Sequence, residues 1–223
     1  MPEAKALAPL LTLRGVSIAD SRAILIDQLD FRLGASEAAA FVGPPGCGKS
    51  LLLRVAAGLE RPAAGERQIG ASRCGFVFQK GGLISNISVE ENLLLPLYYQ
   101  GLSRSVARER AAAALEDFHL GAVARHLPGQ LLNEARLMVQ FARAAALAVD
   151  LLFLDEPFPQ LSRSAFARVE QWLKSRVGAG KLAVMMTSVD REAVPRIPTR
   201  YLELGGPGKP APPNDAKVEA PTP

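Results

Sequence analysis

The sequence predicts an α/β fold, a parallel-sheet core carrying a helical insertion at about residues 86–145. Three observations predict it. A short apolar run, AAAFV, leads into the glycine-rich stretch GPPGCGKS (Gly43 to Ser50) and then into a helical pattern. A second apolar run, DLLFLDEP, reads as a buried strand ending in two carboxylates. Between the two runs lie two or three helix-like segments, with strands and helices alternating on either side.

Taken in order, LLTLRGVSI and LDFRL alternate apolar and polar residues and predict two early strands, since side chains two apart share a strand face. SLLLRVAAGL is a helix closed by Gly58 and Pro62: glycine tolerates the left-handed turn, and proline cannot continue the ladder. CGFVF is a strand with Gln79 at its end. In SVEENLLLPLYYQG, Ser88 and Glu91 have capping-box spacing, and Pro96 is expected to bend or end the helix. SRSVARERAAAALEDF is alanine-rich with Ser103 as its cap, and NEARLMVQFARAAALAV continues the helical block. RSAFARVEQWLKSRVG is a helix with Gly178 behind it, and KLAVMMT is one more strand. The end, GGPGKPAPPNDAKVEAPTP, has no apolar periodicity, so residues 205–223 are expected to form a disordered tail behind one domain spanning 1–204.

A chain of 223 residues, 48% hydrophobic and 22% charged, is long enough to bury its own core. No run approaches the roughly eighteen apolar residues of a bilayer crossing, and MPEAKALAPLLTLRG lacks the regions of a secretory signal, which predicts a cytosolic chain. Two cysteines, Cys47 and Cys74, are too few and too scattered for a disulfide framework or a zinc cluster. The net charge of +4 comes from scattered basic residues without interleaved aromatics, so no nucleic-acid partner is expected.

The chemistry begins at GPPGCGKS. Gly43, Gly46 and Gly48 let successive N–H groups turn inward toward phosphate oxygens, helped by the positive end of the following helix. Lys49 supplies a point charge to the terminal phosphates, and the Ser50 hydroxyl can ligate magnesium. The full GxxxxGK[ST] pattern between a strand and a helix defines a P-loop NTPase core. Gly43, Pro44, Pro45, Gly46, Cys47, Gly48, Lys49, Ser50 and Leu51 are the candidate nucleotide-binding set. Cys47 reads as a small spacer in this loop, although a helix N-terminus can lower a thiol pKa. In LLFLDEP, apolar residues deliver Asp155 and Glu156 to the C-terminal edge of the sheet, where open parallel folds bind ligands. Asp155 can hold the magnesium shell, and Glu156 is placed to polarise an attacking water.

These two motifs, with Gln79 after a strand between them, resemble the ATP-binding cassette family, the nucleotide-binding subunits of ABC transporters, over about residues 10–204. Within it, GFVFQKGGLISNISVEENLLLPLYYQG is similar to subunits serving Mla or Mce-type lipid transport; lipoprotein-release ATPases carry similar wording. The resemblance implies ATP and Mg2+ as cofactors and a small antiparallel β arm beside the core. It places Gln79 against the magnesium ion and attacking water. It implies as partners a transmembrane permease subunit, a second ATPase subunit and a lipid-binding Mce-type subunit, on the cytoplasmic face of the inner membrane.

The chain departs from the family where subunits act on each other. Leu131, Leu132, Asn133, Glu134 and Ala135 stand where the family has its serine-glycine-glycine signature, and Val189 stands at the switch histidine. Ser162 replaces an aspartate that helps join the subunits, and Ala19 or Asp20 offers no ring to stack on adenine. Lys49 and Gln79 lie only 30 positions apart, which implies a shortened β arm. The favoured reading is an ATPase subunit that powers transport of phospholipid or another hydrophobic substrate. Its rivals are a non-hydrolysing nucleotide-binding regulatory or assembly subunit and a soluble P-loop kinase. His119 and His126 are expected at the surface or in packing, Trp172 and Phe166 on the sheet, Met185 and Met186 in a buried strand, and Tyr98 and Tyr99 in ordinary packing.

Overall fold

The computed structural model describes residues 8–197, 199–205 and 218–219. The chain runs β1 (Leu11–Ala19), β2 (Ile24–Leu33), β3 (Ala38–Val42), α1 (Lys49–Ala57), β4 (Ala64–Ile69) and β5 (Cys74–Val77). Three helices follow, α2 (Val89–Tyr99), α3 (Arg104–Asp117) and α4 (Asn133–Leu147). The second half of the core is β6 (Leu151–Asp155), α5 (Arg163–Gly178), β7 (Ala183–Ser188), β8 (Thr199–Glu203) and β9 (Val218–Glu219). Apart from β9, which pairs antiparallel with β8, the tail expected to be disordered lies outside the described residues.

Two sheets form. The larger has the order β5-β6-β7-β3-β8-β9 and is parallel from β5 through β8. The smaller, β2-β1-β4, is antiparallel, which is the arm the resemblance implied. Every residue of β3, β6 and β7 is buried, as expected of parallel strands covered on both faces. The strand period of two sorts their side chains into two cores. Ala40, Leu152, Leu154, Val184 and Met186 face the helical side, while Phe41, Leu151, Phe153, Ala183 and Met185 face α1 and the antiparallel sheet.

Local signals hold where the chemistry is local. The Ser88 hydroxyl accepts from the Glu91 N–H, the Glu91 carboxylate accepts from the Ser88 N–H, and Ser103 caps α3 by accepting from Val106. Pro96 does not end its helix. Only one turn of α2 follows it, and the Gln100, Gly101 and Leu102 N–H groups close that turn onto Pro96, Tyr98 and Leu97 carbonyls. Besides β9, two strands have no counterpart in the sequence-based expectation. In β4, AGERQI is mostly exposed and polar; in β8, TRYLE follows an irregular stretch, and both owe their form to partner strands.

Trp172 is partly buried against the core on the helical side of the sheet, where it meets Phe118 and Phe141 edge-on. Tyr98 and Tyr99 are a correction, since they are 38% and 86% exposed at the end of α2 rather than packed. His119 and His126 are exposed. Phe141, fully buried between Phe118 and Trp172, ties α4 to α3 and α5. Phe141→Ala is expected to cost about 3–5 kcal/mol, read as a lower urea midpoint with unchanged slope; a midpoint within experimental scatter of the parent would contradict this packing.

Candidate functional site

The phosphate loop begins at the end of β3, where the Gly43 N–H donates to Ser188 O at the end of β7 (3.2 Å). A Cβ on Gly43 would lie 2.6 Å from Leu204 O and 3.0 Å from Cys47 Sγ, so only glycine lets the chain leave the sheet here. Gly46 and Gly48 have φ of 81° and 97°, and Gly48 passes directly into α1. The helix holds its entry with Leu52 N–H donating to Gly48 O. Pro44 and Pro45 are exposed on the rim, while Leu51 packs partly buried on the core beneath. Cys47 is 1% exposed and packs into that core as a spacer.

Lys49 is 4% exposed, a costly place for an ammonium unless its donors are used. They are: Nζ donates to Gly43 O (2.7 Å) and Pro44 O (2.9 Å) and lies 3.0 Å from Glu156 Oε1. Beside it, Ser50 Oγ donates to Asp155 Oδ1 (2.8 Å), and Thr187 Oγ1 lies 3.1 Å from the same oxygen. The Glu156 N–H donates in turn to Thr187 Oγ1 (3.2 Å). Asp155 is 4% exposed, and no buried side-chain nitrogen or oxygen among the described residues lacks a partner. Glu156 adopts φ of 44°, rare for a residue with a side chain, at the turn that follows β6.

Four of the expected side chains, Lys49, Ser50, Asp155 and Glu156, thus form one hydrogen-bonded cluster where β3 and β6 end. Ser50 Oγ and the Asp155 carboxylate are hard oxygen donors that fit Mg2+, an ion that takes one or two protein oxygens together with phosphate and water. Gln79 is not in the cluster. It follows β5 on an exposed segment, and its backbone O accepts from Gln160 Nε2 (3.2 Å) in the loop after Glu156. Sequence reasoning missed Thr187, Gln160, Gln140 and Arg143. Gln140 Oε1 accepts from the Phe78 N–H (2.8 Å), and Arg143 Nη1 donates to Gly82 O (2.7 Å). Burial lowers the Arg143 pKa from its ordinary value. A buried glutamine within an apolar helical run was the only available signal.

The departures also have definite places. Leu132 is 83% exposed just before α4, and Val189 is 43% exposed just beyond β7. Glu134, in the first turn of α4, accepts through Oε2 from the Ser162 N–H. Ser162 itself caps α5 by accepting from Ala165.

A glycine loop leaving a parallel strand, with its lysine and serine turned toward carboxylates on a neighbouring strand, defines a P-loop NTPase fold. The family model described as ABC transporter matches residues 26–159. The lipoprotein-releasing system ATP-binding protein LolD 1 of Rhodospirillum rubrum is 33% identical over 184 residues, covering 75% of this chain and 81% of its own. The sulfate/thiosulfate import ATP-binding protein CysA of Methylococcus capsulatus is 32% identical over 190 residues, covering 79% of this chain. The match spans only 55% of CysA's length. Among solved structures, the dimeric structure of a bacterial ABC transporter cassette superposes with a TM-score of 0.80 at 24% identity, covering 89% of this chain and 97% of the other. The chain belongs to the ABC transporter family, as a nucleotide-binding domain.

Burial makes the two thiols differ. Cys47 is enclosed, whereas Cys74 is exposed, with its pKa raised first by local desolvation and then by the charge of Asp150. A raised pKa leaves less thiolate at neutral pH. A disulfide reagent is therefore expected to label Cys74 more slowly than free cysteine at pH 8, accelerating as pH rises. It should label Cys47 only on unfolding; prompt labelling of native Cys74→Ser protein would contradict the enclosed spacer.

Proposed function

We propose that the chain binds Mg-ATP and hydrolyses it as the motor subunit of a membrane transporter. The observation that carries this reading is the single cluster of Lys49, Ser50, Asp155 and Glu156 at the sheet's C-terminal edge. The loop from Gly43 to Leu51 cradles the phosphates, with the N–H groups of Gly46, Gly48, Lys49 and Ser50 as donors, and the Lys49 ammonium takes a terminal phosphate oxygen. Ser50 and Asp155 would hold Mg2+, which would supply positive charge to offset that of the phosphates. Glu156 accepts the proton of the attacking water, and Gln79, one loop away, orients that water.

No helix among the described residues is long and apolar enough to cross a membrane, so the transport path belongs to a permease subunit. Leu95, Tyr98 and Tyr99 expose an apolar strip on α2 that suits such a partner at the cytoplasmic face of the inner membrane. Closure on a second ATPase subunit, of the same or a different sequence, would move the permease. The cargo proposed is phospholipid or another hydrophobic molecule, with a Mce-type lipid-binding subunit as a further partner. Its support is the wording of residues 75–101 and the likeness to LolD 1, while the similar likeness to CysA favours no cargo.

A second reading, a non-hydrolysing regulatory or assembly subunit, is favoured by Glu134 and Val189. Glutamate at the start of α4 would face a phosphate with like charge, and valine has no polar atom for one. Copurification with the permease and measurement of ATP turnover separates the two. The motor reading expects Glu156→Gln to retain ATP binding and lower kcat about 100-fold or more; turnover that is absent in the parent, or indifferent to this substitution, establishes the regulatory reading instead.

A further inference from the structure

β5 stops at Val77, so the backbone beyond it needs partners from outside the sheet. Gln140 supplies them. It is 2% exposed in a helix whose buried neighbours Leu137, Val139 and Phe141 are apolar, where an amide is costly unless bonded. Both ends of that amide go to one residue: Oε1 accepts from the Phe78 N–H at 2.8 Å, and Nε2 lies 3.4 Å from Phe78 O. One turn along α4, Arg143 Nη1 donates to Gly82 O at 2.7 Å. Gly82 has φ of 81°, and a Cβ there would sit 2.4 Å from Gln140 Oε1 and 2.7 Å from Phe78 Cδ2, so the segment is folded tightly back on the glutamine. Gln79 is enclosed between these two attachments, and its own carbonyl is held by Gln160, four residues past Glu156.

We infer that Gln140 is a positioning residue that fixes the backbone bearing Gln79 to α4, and that turnover depends on this attachment. α4 is also the helix whose first turn, through Glu134, holds Ser162 at the start of α5. The segment bearing Gln79, the loop after Glu156 and the helical layer are therefore linked by side chains, none of which touches the nucleotide cradle of Gly43 to Ser50. The inference rests on the reading of Gln79 and Glu156 as parts of an ATP site, and it makes a separate prediction. Removing the bracket should disturb turnover and leave nucleotide affinity nearly intact.

The test uses the chain with its permease partner and two variants. Gln140→Met keeps the shape and loses both hydrogen bonds; Gln140→Glu keeps the Oε1 acceptor for the Phe78 N–H and, neutral in this buried place, offers an O–H donor to Phe78 O. Three quantities are read: ATP Kd, kcat, and amide hydrogen exchange of residues 78–82 and of α4 with and without Mg-ATP. The expected result for Gln140→Met is a Kd within about twofold of the parent, kcat lower by about tenfold, and faster exchange at residues 78–82. Mg-ATP should slow exchange in residues 78–82 and α4 together in the parent, in the methionine variant only at one of them, and in the glutamate variant again at both. Glu156→Gln run alongside judges the ATPase reading by itself. If the parent binds Mg-ATP without turnover, that reading fails while the exchange pattern still decides the bracket. Joint protection that survives in Gln140→Met, absence of joint protection in the parent, or equal losses of Kd and kcat would each overturn the inference.

Discussion

The hydrogen bond from Ser50 Oγ to Asp155 Oδ1 joins residues 105 positions apart, and the site depends on it. It brings the first turn of α1 against the end of β6. It is possible only because β6 and β7 lie side by side, with Asp155 opposite Thr187 and Thr187 bonded to the same carboxylate. The parallel sheet thereby sets the spacing between the phosphate loop and the carboxylate pair. The buried charges of Lys49 and Asp155 are tolerable since each has hydrogen-bond or ion-pair partners within the cluster. Lys49 and Glu156 neutralise each other at 3.0 Å.

The two cores give this arrangement rigidity from opposite sides. Phe41, Leu52, Leu53 and Phe153 press α1 onto one face of the sheet, which fixes the loop that α1 begins. On the other face, Leu137, Phe141, Leu152 and Leu154 share the core beneath the helices, and α4 lies beside β5, which brings Gln140 within reach of Phe78. The polar contacts of α4 are few and specific against that apolar ground. Arg136 donates to Pro128 O just ahead of the helix, and the other targets, Phe78, Gly82 and Ser162, lie in the segments that flank the cluster.

Much of this was legible in the sequence because its cause is local. The glycine loop, the Ser88 and Glu91 box, the buried strand LLFLDEP and the extent of α5 are each determined by residues within a few positions of one another. What was not legible depends on pairing at a distance. Strand β4 is polar and exists because β1 offers an edge, and β8 because β3 does. Pro96 does not end α2, because the residues after it stay helical and the chain beyond closes the turn with its own hydrogen bonds. Thr187, Gln160 and Gln140 are ordinary residues in ordinary elements; only the fold brings each to a backbone or carboxylate partner. Glu134 reads in sequence as a charge facing a phosphate, whereas the structure gives its carboxylate a partner at Ser162.

The central claim is that Lys49, Ser50, Asp155 and Glu156 together form a Mg-ATP site. Titration calorimetry of ATP into the chain, with and without Mg2+, in the parent and in Lys49→Ala, tests it most directly. The account predicts measurable ATP binding that Mg2+ strengthens and that Lys49→Ala weakens by at least about tenfold. Binding that is indifferent to both the ion and the lysine, or no binding in the parent, would contradict it.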